Sequence, residues 1–120
     1  FDLRFPEIFR ILYKKNVAGI FLIANWPAIR HKHWEILSQA RAVENQCYIF
    51  GVNRTGKDPG NQYKGGSVII HPSGEVLITS NRQEILSYTI DLNASKNVKK
   101  RLPFEKSRAL NIYKKHSPYK

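Results

Sequence analysis

The chain has 120 residues, enough for one domain of ordinary size or for part of a larger one. Its hydrophobic content of 42% excludes a disordered polymer, and its single Cys excludes an intrachain disulfide framework and a multi-cysteine zinc site. No apolar run approaches the ~20 residues of a membrane-spanning helix and no signal-peptide pattern opens the chain, so we expect no membrane partner. The single Cys favours the cytoplasm.

The net charge of +11 is concentrated near the end of the chain. Residues 92–120 contain 9 of the 20 basic residues but only 1 of the 9 acidic ones, so residues 1–91 are nearly balanced. A basic tail can bind nucleic acid by neutralising phosphates, but it can equally be solvated or dock on an acidic surface. Neither a nucleic-acid-binding motif nor a zinc knuckle accompanies it, so we expect no nucleic-acid partner.

The first half of the chain predicts two helices that alternate with two strands. From Phe5 onward, apolar residues recur at the spacing of one helix face, with Asp2 as a candidate N-cap and Pro6 in the early turn. Both strands are apolar on both faces, which is typical of burial between two layers, and the strand–helix–strand order predicts parallel pairing. The predicted elements are a helix that Asp2 caps and Lys14-Lys15-Asn16 close, a strand Val17–Ile23, a helix Lys32–Gln46 and a strand Cys47–Asn53.

The second half predicts antiparallel structure followed by a basic tail. Pro72-Ser73-Gly74 is typical of a hairpin turn, and the composition of residues 55–61 indicates a loop. Two helices cannot cover both faces of the resulting sheet, so the arrangement is that of half a layered α/β domain. The predicted elements are hairpin strands Ser67–His71 and Glu75–Thr79, a strand Ser87–Leu92, a short helix Ala94–Leu102 and an irregular tail.

Three sets of residues are candidates for chemistry but have simpler interpretations. Cys47 begins an apolar strand with no His or Lys beside it, so we interpret it as a buried structural cysteine rather than a nucleophile. His31 and His33 are two residues apart on a helix and cannot share a metal ion, so we expect surface histidines and no metal site. Gly65-Gly66 lacks the Lys-Ser/Thr of a phosphate loop and predicts a bend or a close backbone approach.

Residues 24–30 form the best candidate site on physical grounds. They follow the carboxyl end of a buried parallel strand, which is where open α/β sheets bind ligands. Asn25 offers an amide, Trp26 an aromatic wall and Arg30 a cation. We therefore predict that these three residues bind substrate, although a structural ion pair is an equally good interpretation of Arg30.

The motifs of the chain, taken in order, resemble those of the nitrilase (carbon–nitrogen hydrolase) superfamily over nearly its whole length. The first seven residues, Phe-Asp-Leu-Arg-Phe-Pro-Glu, resemble the stretch immediately after that family's catalytic cysteine. Asn25-Trp26-Pro27 together with Asn53-Arg54-Thr55-Gly56 is most similar to the omega-amidase group, which hydrolyses terminal amides of 2-oxo acids. His71 departs from the pattern, because an acidic residue or Asn is common there. Further matching segments are His33-Trp34, Ala40–Gln46, Tyr63–Ser67, Pro72–Glu75 and Ile90–Leu92.

The resemblance implies an α/β fold, the C-terminal half of a four-layer αββα sandwich. Residues 1–120 would be the C-terminal part of a single hydrolase domain, with 93–120 as a basic C-terminal tail. It also implies a Glu–Lys–Cys triad that needs no cofactor and that lies upstream of this chain. The Cys would directly precede Phe1, whose backbone N–H would help form the oxyanion hole. Since the chain has no Met and opens in mid-motif, we expect a longer parent and an inactive isolated segment.

The resemblance further implies a small-molecule amide substrate and a homodimer in which the C-terminal tails cross to the neighbour. The alternative interpretation is a basic, non-enzymatic binding or scaffold module, motivated by the charged tail. We expect the isolated segment not to fold, because half a sandwich leaves one sheet face and one edge uncovered. That outcome would exclude the alternative.

Overall fold

The computed structural model describes residues 1–116, which form a four-stranded mixed sheet and a separate two-stranded ribbon together with four α-helices. Residues 117–120 of the predicted basic tail lie outside the described residues. The helices are α1 (Pro6–Lys14), α2 (His31–Asn45), α3 (Ala94–Arg101) and α4 (Leu110–Lys115), and the strands are β1 (Gly19–Ala24), β2 (Tyr48–Asn53), β3 (Thr55–Lys57), β4 (Gln62–Lys64), β5 (Ser67–Ile70) and β6 (Val76–Ser80).

The main sheet has the strand order β1-β2-β5-β6. β1 and β2 are parallel, in a register that pairs Gly19 with Tyr48 and Ala24 with Asn53, so the two strands begin and end side by side. β5 pairs with β2 and with β6 in antiparallel fashion, with an irregularity between Ile69 and Ile70. The predicted parallel pair and the predicted hairpin are both confirmed.

The hydrophobic core lies between α2 and one face of this sheet. Trp34 is fully buried there with Ile49 and Ile70, and Phe9 of α1 joins the same cluster. Gly51 makes room for the indole, because a Cβ at that position would come within 2.8 Å of Trp34 Cζ2. The register of β2 therefore depends on the volume of the Trp34 side chain on α2 as well as on backbone pairing.

The opposite face of the sheet is apolar and open. Phe21 is 75% exposed and Ile23 is 88% exposed, and Val52 on the neighbouring strand is also exposed. Within residues 1–116, β1 pairs with β2 alone, so its other edge carries unpaired backbone groups. A face and an edge of this kind are the surfaces that layered folds normally cover.

The first turn differs from the sequence prediction. Asp2 does not cap α1; it belongs to a 3-10 turn, Asp2–Arg4, and the N-cap of α1 is Phe5, without a side-chain hydrogen bond. The cause is Pro6 at the first helical position, because a residue before proline is pushed into extended backbone, here φ −109° and ψ 106°. The extended Phe5 separates the turn from the helix.

Three predictions for the second half are corrected. Residues 55–64 contain the β3–β4 ladder, whose turn Asp58 holds by accepting from the backbone N–H groups of Gly60 and Asn61 at 3.1 and 2.9 Å. Ser87–Leu92 is not a strand; most of it is exposed and it pairs with no strand of residues 1–116. The tail is not wholly irregular, since α4 follows the correctly predicted α3.

Candidate active site

The carboxyl ends of β1 and β2 bring together the segments that follow them. The strands end side by side at Ala24 and Asn53, and the Arg54 backbone N–H donates to the Ala24 carbonyl at 3.0 Å. The loop 25–30 therefore leaves the sheet next to the start of the β3–β4 ribbon. This edge is where the sequence places the candidate site.

A buried asparagine connects three backbone segments at this edge. Asn53 Oδ1 accepts from the Trp26 backbone N–H at 2.7 Å, and Asn53 Nδ2 donates to the carbonyls of Trp26 at 3.2 Å and Gly65 at 2.6 Å. Sequence reasoning identified Asn53 only as the end of a strand and part of a motif. The available signal was an amide side chain that ends an otherwise apolar buried strand.

Trp26, the predicted aromatic wall, is held in place by its contacts. Its side chain is buried, its Nε1–H donates to the Arg30 carbonyl at 2.6 Å, and its ring lies 5.9 Å from that of Trp34. By contrast, the side chains of Asn25 and Arg30 are exposed. Asn25 and Arg30 are thus open to solvent, and the rigid Trp26 lies between them in the sequence.

The N-terminal turn lies against the same loop. The Arg4 guanidinium carbon is 4.8 Å from the centroid of the Trp26 ring, a cation–π geometry. Phe1 is largely exposed; its carbonyl accepts from the Arg4 N–H at 3.1 Å and its ring lies 5.1 Å from that of Phe5. Phe1 therefore begins the turn that contains Arg4, the residue that contacts Trp26.

A buried arginine holds that turn to α2. Arg41 is 5% exposed, and its Nη2 and Nε donate to the Leu3 carbonyl at 2.7 and 3.2 Å. Its Nη1 pairs with Glu44 Oε1 at 2.9 Å, so the buried charge is compensated. The position of residues 1–4 is consequently set by α2 rather than by α1 alone.

Cys47 lies at the other end of the parallel strands and cannot serve this edge. It is fully buried next to Tyr48, which pairs with Gly19 at the start of β1. Burial raises the pKa of its thiol from 9.0 to about 11, an effect that the nearby positive charge of Lys99 only partly offsets. The thiol is therefore almost wholly protonated at neutral pH, which confirms a structural cysteine.

The Gly65-Gly66 turn is a close backbone approach, as predicted. Both residues have positive φ, 73° and 82°, and a Cβ on Gly66 would collide with the His31 ring. The Gly66 carbonyl accepts from Trp34 Nε1 at 2.7 Å. His31 is thus packed rather than at the surface, a correction to the sequence prediction, whereas His33 is exposed.

Residues 1–116 contain neither a cluster of metal-ligating side chains nor a helix that could span a membrane. No group of three or more His, Cys, Asp or Glu side chains in this part of the chain is placed to hold a metal ion. Among its helices, none has the length and apolar character needed to cross a membrane.

Comparison with known proteins identifies the class. The family model for carbon-nitrogen hydrolases matches residues 1–100, so the chain belongs to the carbon–nitrogen hydrolase family. The "Hydrolase in agr operon" of Staphylococcus lugdunensis is 39% identical over 115 residues, which are 95% of this chain and 49% of that protein. The 2-oxoglutaramate amidase of Bacillus subtilis is 42% identical over 104 residues, 86% of this chain and 40% of the amidase.

The fold agrees with this membership. The crystal structure of XC1258 from Xanthomonas campestris, a CN-hydrolase superfamily protein with an arsenic adduct in its active site, matches with a TM-score of 0.81 at 30% identity. The match covers 89% of this chain and 43% of that one. The predicted mixed α/β, nitrilase-like fold and the omega-amidase-like resemblance are confirmed. The chain spans less than half the length of each of these three proteins.

Proposed function

We propose that the protein carrying this chain is an amidase that hydrolyses the terminal amide of a small 2-oxo acid to the acid and ammonia. The observation that carries the proposal is the placement of the N-terminal turn. Arg4 lies over the Trp26 ring, so the start of the chain is close to this edge, which supports a place near it for the residue that precedes Phe1. The similarity to a 2-oxoglutaramate amidase supports the substrate class.

The proposed chemistry is covalent catalysis by the cysteine expected before Phe1. An upstream Glu takes the thiol proton, the thiolate attacks the amide carbon, and the C–N bond breaks as the proton passes to the leaving ammonia. A thioester remains. Water, deprotonated by the same Glu, attacks it, and the acid leaves as the thiol is reformed. An upstream Lys and the Phe1 N–H stabilise the oxyanion in both steps.

The proposed substrate contacts follow from the geometry of the loop. Trp26 forms an aromatic wall that its hydrogen bond to the Arg30 carbonyl keeps in place. The exposed Arg30 guanidinium pairs with the substrate carboxylate, and the exposed Asn25 amide supplies a further hydrogen bond. No cofactor enters this scheme.

The proposal includes the assembly. The open apolar sheet face with Phe21 and Ile23 supports a second sheet contributed by the rest of the parent, so we expect the isolated segment to be inactive. Ile11 of α1 and Ile36 of α2 are more than half exposed on the helical side, which supports a homodimer.

A cytoplasmic location, and the absence of nucleic-acid and membrane partners, remain predictions from composition.

The test uses the complete protein. We expect ammonia release from 2-oxoglutaramate, and we expect Ser in place of the residue preceding Phe1, where that residue is Cys, to abolish it. The matched control is Cys47→Ala, which removes the buried thiol directly before β2 and leaves turnover intact. Full activity after the first substitution, or its loss after the second, would contradict the mechanism.

A further inference from the structure

We propose that Asn53 is a positioning residue: its buried side chain holds loop 25–30 in the conformation that binds substrate. The expected change in KM rests on the proposed function, whereas the expected change in the conformation of loop 25–30 does not. Asn53 is 4% exposed, and its amide makes three short hydrogen bonds to backbone groups of two other segments.

The side-chain amide of Asn53 has both a hydrogen-bond acceptor and a hydrogen-bond donor, and this position requires both. Trp26 lies two residues beyond the end of β1, where its backbone N–H and carbonyl no longer have ladder partners. Asn53 Oδ1 satisfies the N–H, and the two protons on Nδ2 are available for the carbonyls of Trp26 and Gly65. A side chain with only donors or only acceptors would leave a buried backbone group unsatisfied.

The Asn53 backbone is held independently of this side chain. Asn53 pairs with Ala24 in the β1–β2 ladder, and its N–H donates to Ser67 Oγ at 3.2 Å while its carbonyl accepts from the same hydroxyl at 3.4 Å. Removal of the side-chain amide therefore leaves the end of β2 in place. The effect of a substitution is confined to the segments that the amide holds.

The constraint passes from Trp26 to the rest of the loop. The indole N–H of Trp26 donates to the Arg30 carbonyl, so a shift of the Trp26 backbone moves both ends of the proposed binding segment. Asn25 lies between Ala24, which is fixed in the sheet, and Trp26, which Asn53 fixes. Asn53 thus controls the geometry of all three proposed substrate-binding residues without touching substrate itself.

The experiment compares two buried amides in the complete hydrolase. Asn53→Ala removes the hydrogen bonds to the loop. Gln46→Ala is the matched control, because Gln46 is also fully buried and also donates to a backbone carbonyl, that of Leu102 at 2.7 Å, but at the opposite end of β2. The two readouts are steady-state kinetics on 2-oxoglutaramate and hydrogen exchange of the peptide covering residues 24–30.

For Asn53→Ala we expect KM to rise about tenfold and kcat to change less than about threefold, because the loss of buried hydrogen bonds falls on binding. Exchange in 24–30 accelerates by about tenfold or more, while α1 is unaffected. Gln46→Ala lowers the midpoint of unfolding but leaves both KM and the exchange of residues 24–30 unchanged. Unaltered exchange in 24–30, or equal KM changes in both variants, would overturn the proposal.

A second variant keeps the test decisive if Asn53→Ala does not fold. Asn53→Asp retains the acceptor for Trp26 N–H but, when ionised, directs an oxygen at the carbonyls of Trp26 and Gly65. Protonation, which burial of the carboxyl favours, returns one donor, so the protection factor of residues 24–30, which corrects for the intrinsic pH dependence of amide exchange, rises towards the wild-type value on acidification. No recovery on acidification contradicts the role. If the wild type releases no ammonia, the proposed function fails, and the exchange data alone decide the positioning role.

Discussion

The guanidinium of Arg4 lies over the ring of Trp26, with 4.8 Å between the Arg4 Cζ atom and the ring centroid. This contact joins two segments that are far apart in the sequence: the turn at the start of the chain and the loop after β1. In the proposed amidase, the turn carries the oxyanion donor and the loop carries the substrate wall. The contact thus couples the two halves of the proposed site.

Loss of this contact will affect substrate binding more than stability. Arg4→Gln removes a cation–π interaction worth about 0.5–1 kcal/mol at an exposed position. We expect a small decrease in the free energy of unfolding together with a higher KM for 2-oxoglutaramate. Arg10→Gln is the control for KM, since Arg10 lies 5.1 Å over Tyr13 and donates to the Glu44 carbonyl at 3.0 Å, away from the site. Equal KM values for the two variants would show that the Arg4–Trp26 contact has no role in binding.

Removal of Arg41 will destabilise the protein strongly. The buried guanidinium donates twice to the Leu3 carbonyl and pairs with Glu44, so Arg41→Ala leaves that carbonyl without a partner. We expect a loss of about 3–5 kcal/mol in denaturant unfolding, as for other broken buried ion pairs. Lys32→Ala, which breaks the exposed Lys32–Glu35 pair in the same helix, is expected to cost less than about 1 kcal/mol. Similar losses for the two variants would contradict the buried network.

The buried thiol predicts a stability change in alkaline solution. The pKa of Cys47 is about 11 in the folded state, above its ordinary value of 9.0, so the folded protein binds the proton more tightly. Its contribution is fully present below pH 9 and is lost as pH rises through about 11. The stability advantage of wild type over Cys47→Ala should therefore shrink across that interval, as followed by urea unfolding. An advantage that grows with pH would be inconsistent with the burial of Cys47.

Two of the glycines with positive φ, Gly56 and Gly66, separate the cost of backbone strain from that of steric collision. Gly66 has φ 82° and no space for a Cβ beside His31, whereas Gly56 has φ 95° and open space. We expect Gly56→Ala to cost about 1 kcal/mol from strain alone and Gly66→Ala to cost at least about 2 kcal/mol more. Thermal unfolding of both variants measures the difference, and equal costs would mean that His31 does not pack as described.

Much of the fold can be predicted from local patterns. The apolar spacing after Phe5 and the apolar runs of β1 and β2 identify α1 and the parallel pair, and Pro72-Ser73-Gly74 identifies the β5–β6 hairpin. The wrong elements depend on context. Ser87–Leu92 has the composition of a strand but no neighbouring strand to pair with within residues 1–116, and composition alone cannot reveal that.

The position of the candidate site could be predicted from the sequence, but the contacts that support it could not. Trp26 follows the apolar parallel strand β1, and the rule that α/β sheets bind ligands at the carboxyl ends of their strands places Trp26 at that edge. The contacts that hold it come from Arg4, Asn53 and Trp34, which different elements supply. Contacts between residues this far apart in the chain follow from packing, which sequence periodicity does not encode. The roles of Phe1, Asn25, Trp26 and Arg30 stay predictions.

The most direct test of the account locates the covalent intermediate in the complete protein. Acid quenching during turnover of 2-oxoglutaramate, followed by peptide mass spectrometry, should find the acyl group on a cysteine directly before Phe1. The same experiment should find Cys47 unmodified, because its thiol is buried and its pKa is about 11. An acyl group on Cys47, or turnover with no acylated cysteine under conditions that preserve thioesters, would contradict the proposed mechanism.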